Sequence, residues 1–137
     1  MPRYEVLSHT ADTGIVASGA SLAEAFENAA FGMFDLVFDL SGIAATEEYR
    51  VEVEAESLGE LLVAWLSALL TEAEIRGLAF ARFVVEEPAG GSLRGAAWGG
   101  SAAGMELRGP PVKAVTYHDL AVESAPGGWR ARVIFDV

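Results

Sequence analysis

From Leu61 to Leu70 the chain is apolar at every position except Ser67, and no other feature of the sequence constrains the fold more. A helix that is apolar around most of its circumference cannot lie on a solvent-facing surface. It needs a sheet on one side and something else on another. Ten helical residues rise only about 15 Å, roughly half the thickness of a bilayer core, so the segment reads as a buried core helix and not as a membrane span. Ser57-Leu58-Gly59-Glu60 opens this helix with the Ser-x-x-Glu spacing of a capping box, in which each side chain serves the other residue's backbone N–H, and Gly77 ends it.

A second capping box, Ser21-Leu22-Ala23-Glu24, precedes Leu22, Ala25, Phe26, Ala29, Met33 and Phe34, which share one helical face. The spacing predicts a helix from about Ser21 to Val37. Alternation of polar and apolar residues predicts strands at Arg3–Leu7, Ile15–Ala17 and Thr46–Glu56; in the last of these Tyr49, Val51, Val53 and Ala55 face one way and Arg50, Glu52, Glu54 and Glu56 the other. Further strands are expected at Leu78–Glu86 and Ser92–Trp98. Gly99 to Pro111 reads as a glycine-rich mobile loop. Val112–Ser124 and Trp129–Val137 read as two long β-runs joined by the hairpin signal Ala125-Pro126-Gly127-Gly128. The expected class is α+β: a single domain, residues 1–137, with two helices packed on one face of a mostly antiparallel curved sheet.

Charge and cysteine usage exclude several functions. Twenty acids against nine bases give a net charge of −11, which disfavours broad nucleic-acid binding, since a basic face is needed to neutralise phosphates. Anionic membrane surfaces are disfavoured for the same reason; cations and basic protein partners are not. With no cysteine, disulfides, thiol nucleophiles and thiolate metal sites are excluded. No secretory signal is visible at the N-terminus, and a cytoplasmic location is expected. The chain has no P-loop and no Gly-x-Gly-x-x-Gly, and its only lysine, Lys113, follows no glycine loop. No catalytic residue is assigned.

Three segments carry candidate chemistry. His9-Thr10-Ala11-Asp12 occupies a turn between two apolar strands, where a rigid scaffold commonly presents functional groups; His9 and Thr10 could equally cap the turn through side-chain-to-backbone bonds. At the other end, Asp136 sits one residue before the C-terminal Val137, so its side chain and the terminal carboxylate repel unless a cation lies between them. With Asp12 these would make three oxygen-bearing groups suited to Ca²⁺ or Mg²⁺; the alternative is a solvated Asp136 on a frayed terminus. The third segment is Val112 to Leu120, in which Lys113 could simply pair with a carboxylate. His118 could be a strand-surface residue or could reach the Asp12 turn, and the sequence does not decide between them.

Taken together, His9-Thr10-Ala11-Asp12, Ser21-Leu22-x-Glu24-Ala25-Phe26, Leu61-Leu62-Val63-x-Trp65-Leu66, Lys113-Ala114-Val115-Thr116-Tyr117-His118 and Asp136-Val137 resemble, in order and spacing, the archease family over essentially the whole chain. The resemblance implies an accessory protein, not an enzyme in its own right, that activates an RtcB-type tRNA-splicing RNA ligase. Such proteins promote GTP-dependent guanylylation of the ligase's active-site histidine, allow multiple turnover and can broaden its nucleotide use. It also implies a divalent-metal site (Ca²⁺, with Mg²⁺ or Mn²⁺ as functional ions) on Asp12, Asp136 and Val137, with His9, Thr10, Lys113 and His118 as supporting or partner-contact residues. Where many archeases carry a Gly-Glu pair, this chain has Gly99-Gly100, so its contact with the ligase is expected to differ there. A stand-alone metal-dependent phosphohydrolase and a general chaperone-like protein are the alternative readings.

Overall fold

Two serines start the two helices. In the computed structural model, which describes residues 2–7 and 13–137, Ser21 Oγ accepts from the Glu24 N–H and Ser57 Oγ from the Glu60 N–H, each at 3.1 Å. They open α1 (Leu22–Asp35) and α2 (Leu58–Arg76). The returning half of the first capping box is displaced by one residue: Glu24 Oε1 accepts from Ala20 N–H and not from Ser21. Glu87 reaches across from a distant segment to accept from the Ala23 N–H at 2.8 Å, so further unpaired donors of the α1 N-terminus are satisfied. Gly77 ends α2 in the left-handed conformation, φ +65°, where a side chain would be strained.

The strands are β1 (Tyr4–Leu7), β2 (Thr13–Gly19), β3 (Glu47–Glu54), β4 (Leu78–Val85), β5 (Ser92–Ser101), β6 (Ala114–Val115), β7 (Ala121–Ala125) and β8 (Gly128–Asp136). The α+β class and both helices agree with the sequence reading, but the strands divide between two antiparallel sheets instead of forming one. One runs β1-β2-β8-β6 with β7 also on β8; the other runs β3-β5-β4. Each helix touches both sheets. The first packs on β2, β8 and β4; the second packs on β3, β4 and β5 and also on β6, β7 and α1. That is why α2 is apolar on most sides: Leu61, Leu62, Trp65, Leu66 and Leu69 are all essentially inaccessible, each worth about 2 kcal/mol of burial. Trp65 places its indole N–H on the Phe26 carbonyl at 3.1 Å, which ties the two helices together inside one continuous core. Among the described residues no helix is long and apolar enough to cross a membrane.

Two sequence expectations need correction. Gly99 and Gly100 do not belong to a loop; they continue β5, where Gly99 pairs with Glu47 on one side and Phe80 on the other. Beside them β4 carries an irregularity between Phe80 and Arg82, and a Cβ on Gly99 would run into the Ala79 carbonyl oxygen, so this crossing requires glycine. The loop beyond is anchored: Arg108 donates its backbone N–H to Val37 O at 2.7 Å and its guanidinium to Asp35 at 3.1 Å. Nor is Val112–Ser124 one strand. It forms the two-residue β6, bends over Thr116–Leu120 and resumes as β7. The bend has local causes: Thr116 Oγ1 accepts from the His118 N–H at 3.3 Å, a bond that competes with the ladder. Asp119 then takes φ +50°, a conformation aspartate tolerates better than most residues.

Candidate functional site

The end of the chain lies inside a sheet. Along β8, Ala131, Val133 and Phe135 are fully buried, so alternation turns Arg130, Arg132, Ile134 and Asp136 to the opposite face. Up to its last residues β8 is flanked on both sides: Thr13 pairs with Phe135 on one, while Ala114 pairs with Asp136 and Val115 with Phe135 on the other. The Lys113 N–H donates to the Asp136 carbonyl at 2.7 Å, and both the Thr116 N–H and its hydroxyl donate to Ile134 O, at 3.1 and 2.9 Å. Ile134 is only 3% exposed although it faces outward. It lies over Gly14, where an added Cβ would meet its Cδ1 at 2.5 Å. The terminal strand is therefore held and not frayed.

Asp136 is exposed and Val137 partly so. Among the described residues neither Asp136 nor Lys113 has an ion-pair partner within 4 Å, although Lys113 is joined through its backbone to the Asp136 carbonyl. His118 sits on the bend, exposed, with Nε2 3.4 Å from Asp119 Oδ2. Its backbone is bound to Thr116, so it belongs to the turn that fastens β6 to β8. His9, Thr10 and Asp12 lie outside the described residues. Thr13, the residue after Asp12, is the cross-strand partner of Phe135, the residue before Asp136. Among the described residues no three His, Asp or Glu side chains gather as a metal cluster.

Thr116 is the group that sequence reasoning undervalued. Its hydroxyl both donates to Ile134 O and accepts from His118 N–H. The Thr-x-His spacing was visible, but its strand partner was not.

The archease protein family (MTH1598/TM1083) matches residues 4–137. The chain is 39% identical to the archease of Pyrococcus abyssi and 40% identical to that of Pyrococcus furiosus, in each case over the whole of both chains. The solution structure of Methanobacterium thermoautotrophicum protein 1598 superposes with a TM-score of 0.87 at 37% identity, covering all of both chains. The crystal structure of a Thermotoga maritima protein described as an archease and possible chaperone shares the fold, with a TM-score of 0.60 at 23% identity over 96% of this chain and 94% of that one. A match that runs through both helices, both sheets and the terminal strand, at this identity and without large gaps in coverage, establishes that the chain belongs to the archease family.

Proposed function

We propose that this protein is an accessory activator of an RtcB-type RNA ligase, promoting guanylylation of the ligase and its multiple turnover by means of a divalent-metal site on Asp12, Asp136 and the carboxylate of Val137. The observation that supports the reading is the β2–β8 register: Thr13 of β2, next to Asp12, is the cross-strand partner of Phe135 of β8, next to Asp136. The donor set fits the ion. Carboxylate oxygens are what Ca²⁺, Mg²⁺ and Mn²⁺ prefer, and Asp136 is exposed with no basic side chain within ion-pair distance among the described residues. When bound, such an ion supplies positive charge that can offset the negative charge of a nucleoside triphosphate. The protein's own residues do the rest. Pairing of Phe135 on both sides of β8, and of Asp136 with β6 through the Lys113 N–H, with Thr116 on Ile134 O, holds the strand up to Asp136. An excess of eleven negative charges steers the whole protein toward a cationic, phosphate-handling surface.

The test is single-turnover guanylylation of a cognate ligase with labelled GTP, with and without this protein. Asp12→Ala and Asp136→Ala should melt like the native chain and fail to accelerate labelling. Full acceleration by both variants would remove the metal site from the mechanism. No acceleration by the native protein would remove the ligase. GTP hydrolysis by the protein alone would then point to a phosphohydrolase, and metal-independent suppression of aggregation of unrelated proteins would point to a chaperone.

A further inference from the structure

Where α1 and α2 end, the space between them is not filled. Ala73 and Gly77, four residues apart, share one face at the end of α2, and their small size leaves a cavity of about 180 Å³. Phe34, Val37 and Phe38 from the end of α1, Leu70 of α2 and Val112 form most of its wall. The wall is fixed on both sides. Ala102 donates its N–H to Gly77 O at 2.8 Å, and Arg108 donates its N–H to Val37 O at 2.7 Å, so the 102–108 segment is tied to both helix ends. A pocket that exists before its ligand arrives costs little ordering on binding. Glu74 is the one charged residue of the lining; it is exposed, and among the described residues it has no ion-pair partner. Leu107 is bridged antiparallel to Phe38, which puts the two side chains on one face. It is 53% exposed, so apolar surface continues from the cavity outward.

We propose that this cavity receives one bulky apolar side chain of a partner protein, carried on a segment with lysine or arginine beside that anchor. Size, surroundings and charge select this occupant. Sites for metabolites and other free ligands run to about 300–1,000 Å³, whereas a cavity of about 150 Å³ takes a single benzene ring. At 180 Å³ the space therefore suits one phenylalanine, leucine or methionine side chain. Leu107 extends the apolar contact past the mouth, which the flank of a polypeptide can use and a lone ring cannot. Glu74 stands at that mouth in a chain of net charge −11, so a basic flank is attracted and an acidic one repelled. That charge preference distinguishes the site from a chaperone surface that takes apolar segments of any charge. The inference does not rest on the ligase reading, and neither Asp136 nor Val137 lines the cavity.

The experiment is an NMR titration of the full chain, labelled at its methyl groups, with a synthetic peptide of lysine and alanine around one central phenylalanine. Shifts should concentrate on the methyls of Val37, Leu70 and Val112, which line the cavity. Alanine in place of the phenylalanine should weaken binding about tenfold or more, as expected when one large apolar side chain is no longer buried. A twin peptide with glutamate for every lysine should bind several-fold more weakly at low salt, and the gap should close as salt rises. Glu74→Lys should reverse the preference between the two peptides, a gain that a misfolded variant would not show. Ala73→Leu, which places a branched side chain in the cavity, should abolish binding while the methyl spectrum of the β2–β8 sheet stays native. The proposal is overturned by absence of peptide binding, by equal binding of the lysine and glutamate peptides, or by native-like binding to a folded Ala73→Leu protein. Benzylamine binding as tightly as the peptide also overturns it, by making the cavity a site for a free small molecule.

Discussion

Replacing Thr116 by valine tests whether the terminal strand is held as firmly as its pairing suggests. The substitution is nearly isosteric and removes only the hydroxyl, which donates to Ile134 O at 2.9 Å and accepts from His118 N–H at 3.3 Å. Ile134 O keeps the Thr116 N–H bond at 3.1 Å, so no buried acceptor is orphaned, and the His118 N–H is exposed enough to meet water. The cost is therefore that of a partly buried hydrogen bond, about 1 kcal/mol, and not the larger penalty of an unsatisfied group. For a chain of this size that lowers Tm by about 4 °C. The local effect is the sharper one. Among the described residues, the hydrogen bonds that fasten this segment to the end of β8 beyond the two-residue ladder of β6 come from Lys113 N–H and Thr116. Losing 1 kcal/mol there should raise amide exchange at Lys113 and Thr116 about fivefold, without selective loss of protection at Ile15 and Val133 in the β2–β8 ladder. Thr116→Ser, which keeps the hydroxyl, should exchange like the native chain. If Thr116→Val leaves Lys113 exchange unchanged, or if β2–β8 loosens equally, the hydroxyl is not what fastens the C-terminal end.

Asn28, 7% exposed, donates Nδ2 to Ser18 O at 2.6 Å and accepts from the Arg3 guanidinium at 2.8 Å; Asn28→Ala should destabilise by about 2 kcal/mol, since one partner can rehydrate and the other is partly buried, and a denaturant midpoint unchanged from native would contradict that. Glu27 accepts from the Val85 N–H at 2.8 Å, and burial, aided by the neighbouring Glu24, raises its carboxyl above its ordinary value of 4.5. A raised acid pKa means that the folded state binds the proton more readily, so the charged carboxylate costs stability above its folded pKa and that cost fades as pH falls toward 4.5. Glu27→Gln keeps an acceptor for Val85 and should be more stable than native at pH 7 but not near pH 4, as thermal melts at the two pH values would show; an equal difference at both would refute the titration argument.

What could be read in the chain follows from the range of the forces involved. Both helices were legible because a serine cap and an apolar face act within a few residues, and in the second a terminal glycine does too, as at Ser57, Leu61–Leu70 and Gly77. The strand at Glu47–Glu54 was legible for the same reason: Val51 is buried while Glu48, Arg50 and Glu52 are exposed. Strand partners are not local. Nothing near Gly99 says that it will be crossed by the Ala79 carbonyl, so two glycines read as a loop became the tightest part of β5. Nothing near Thr116 says that Ile134 O will draw its hydroxyl, so a β-rich run was read straight through a bend. The site shows both sides of this. Residue type and charge left Asp136 open between a ligand and a solvated terminal residue, and only the family resemblance named it with Val137; the strand that carries them depends on a pairing that joins distant parts of the sequence. A chain end on an edge strand would fray and could hold nothing in place. Here the last strand lies between β2 and β6: Phe135 is paired on both sides and Asp136 on the β6 side. The consequence is that Asp136 is held by β6 directly and by β2 through Phe135, and a larger residue at Gly14, which would press on Ile134 without touching any proposed ligand, should displace it although every ligand is intact.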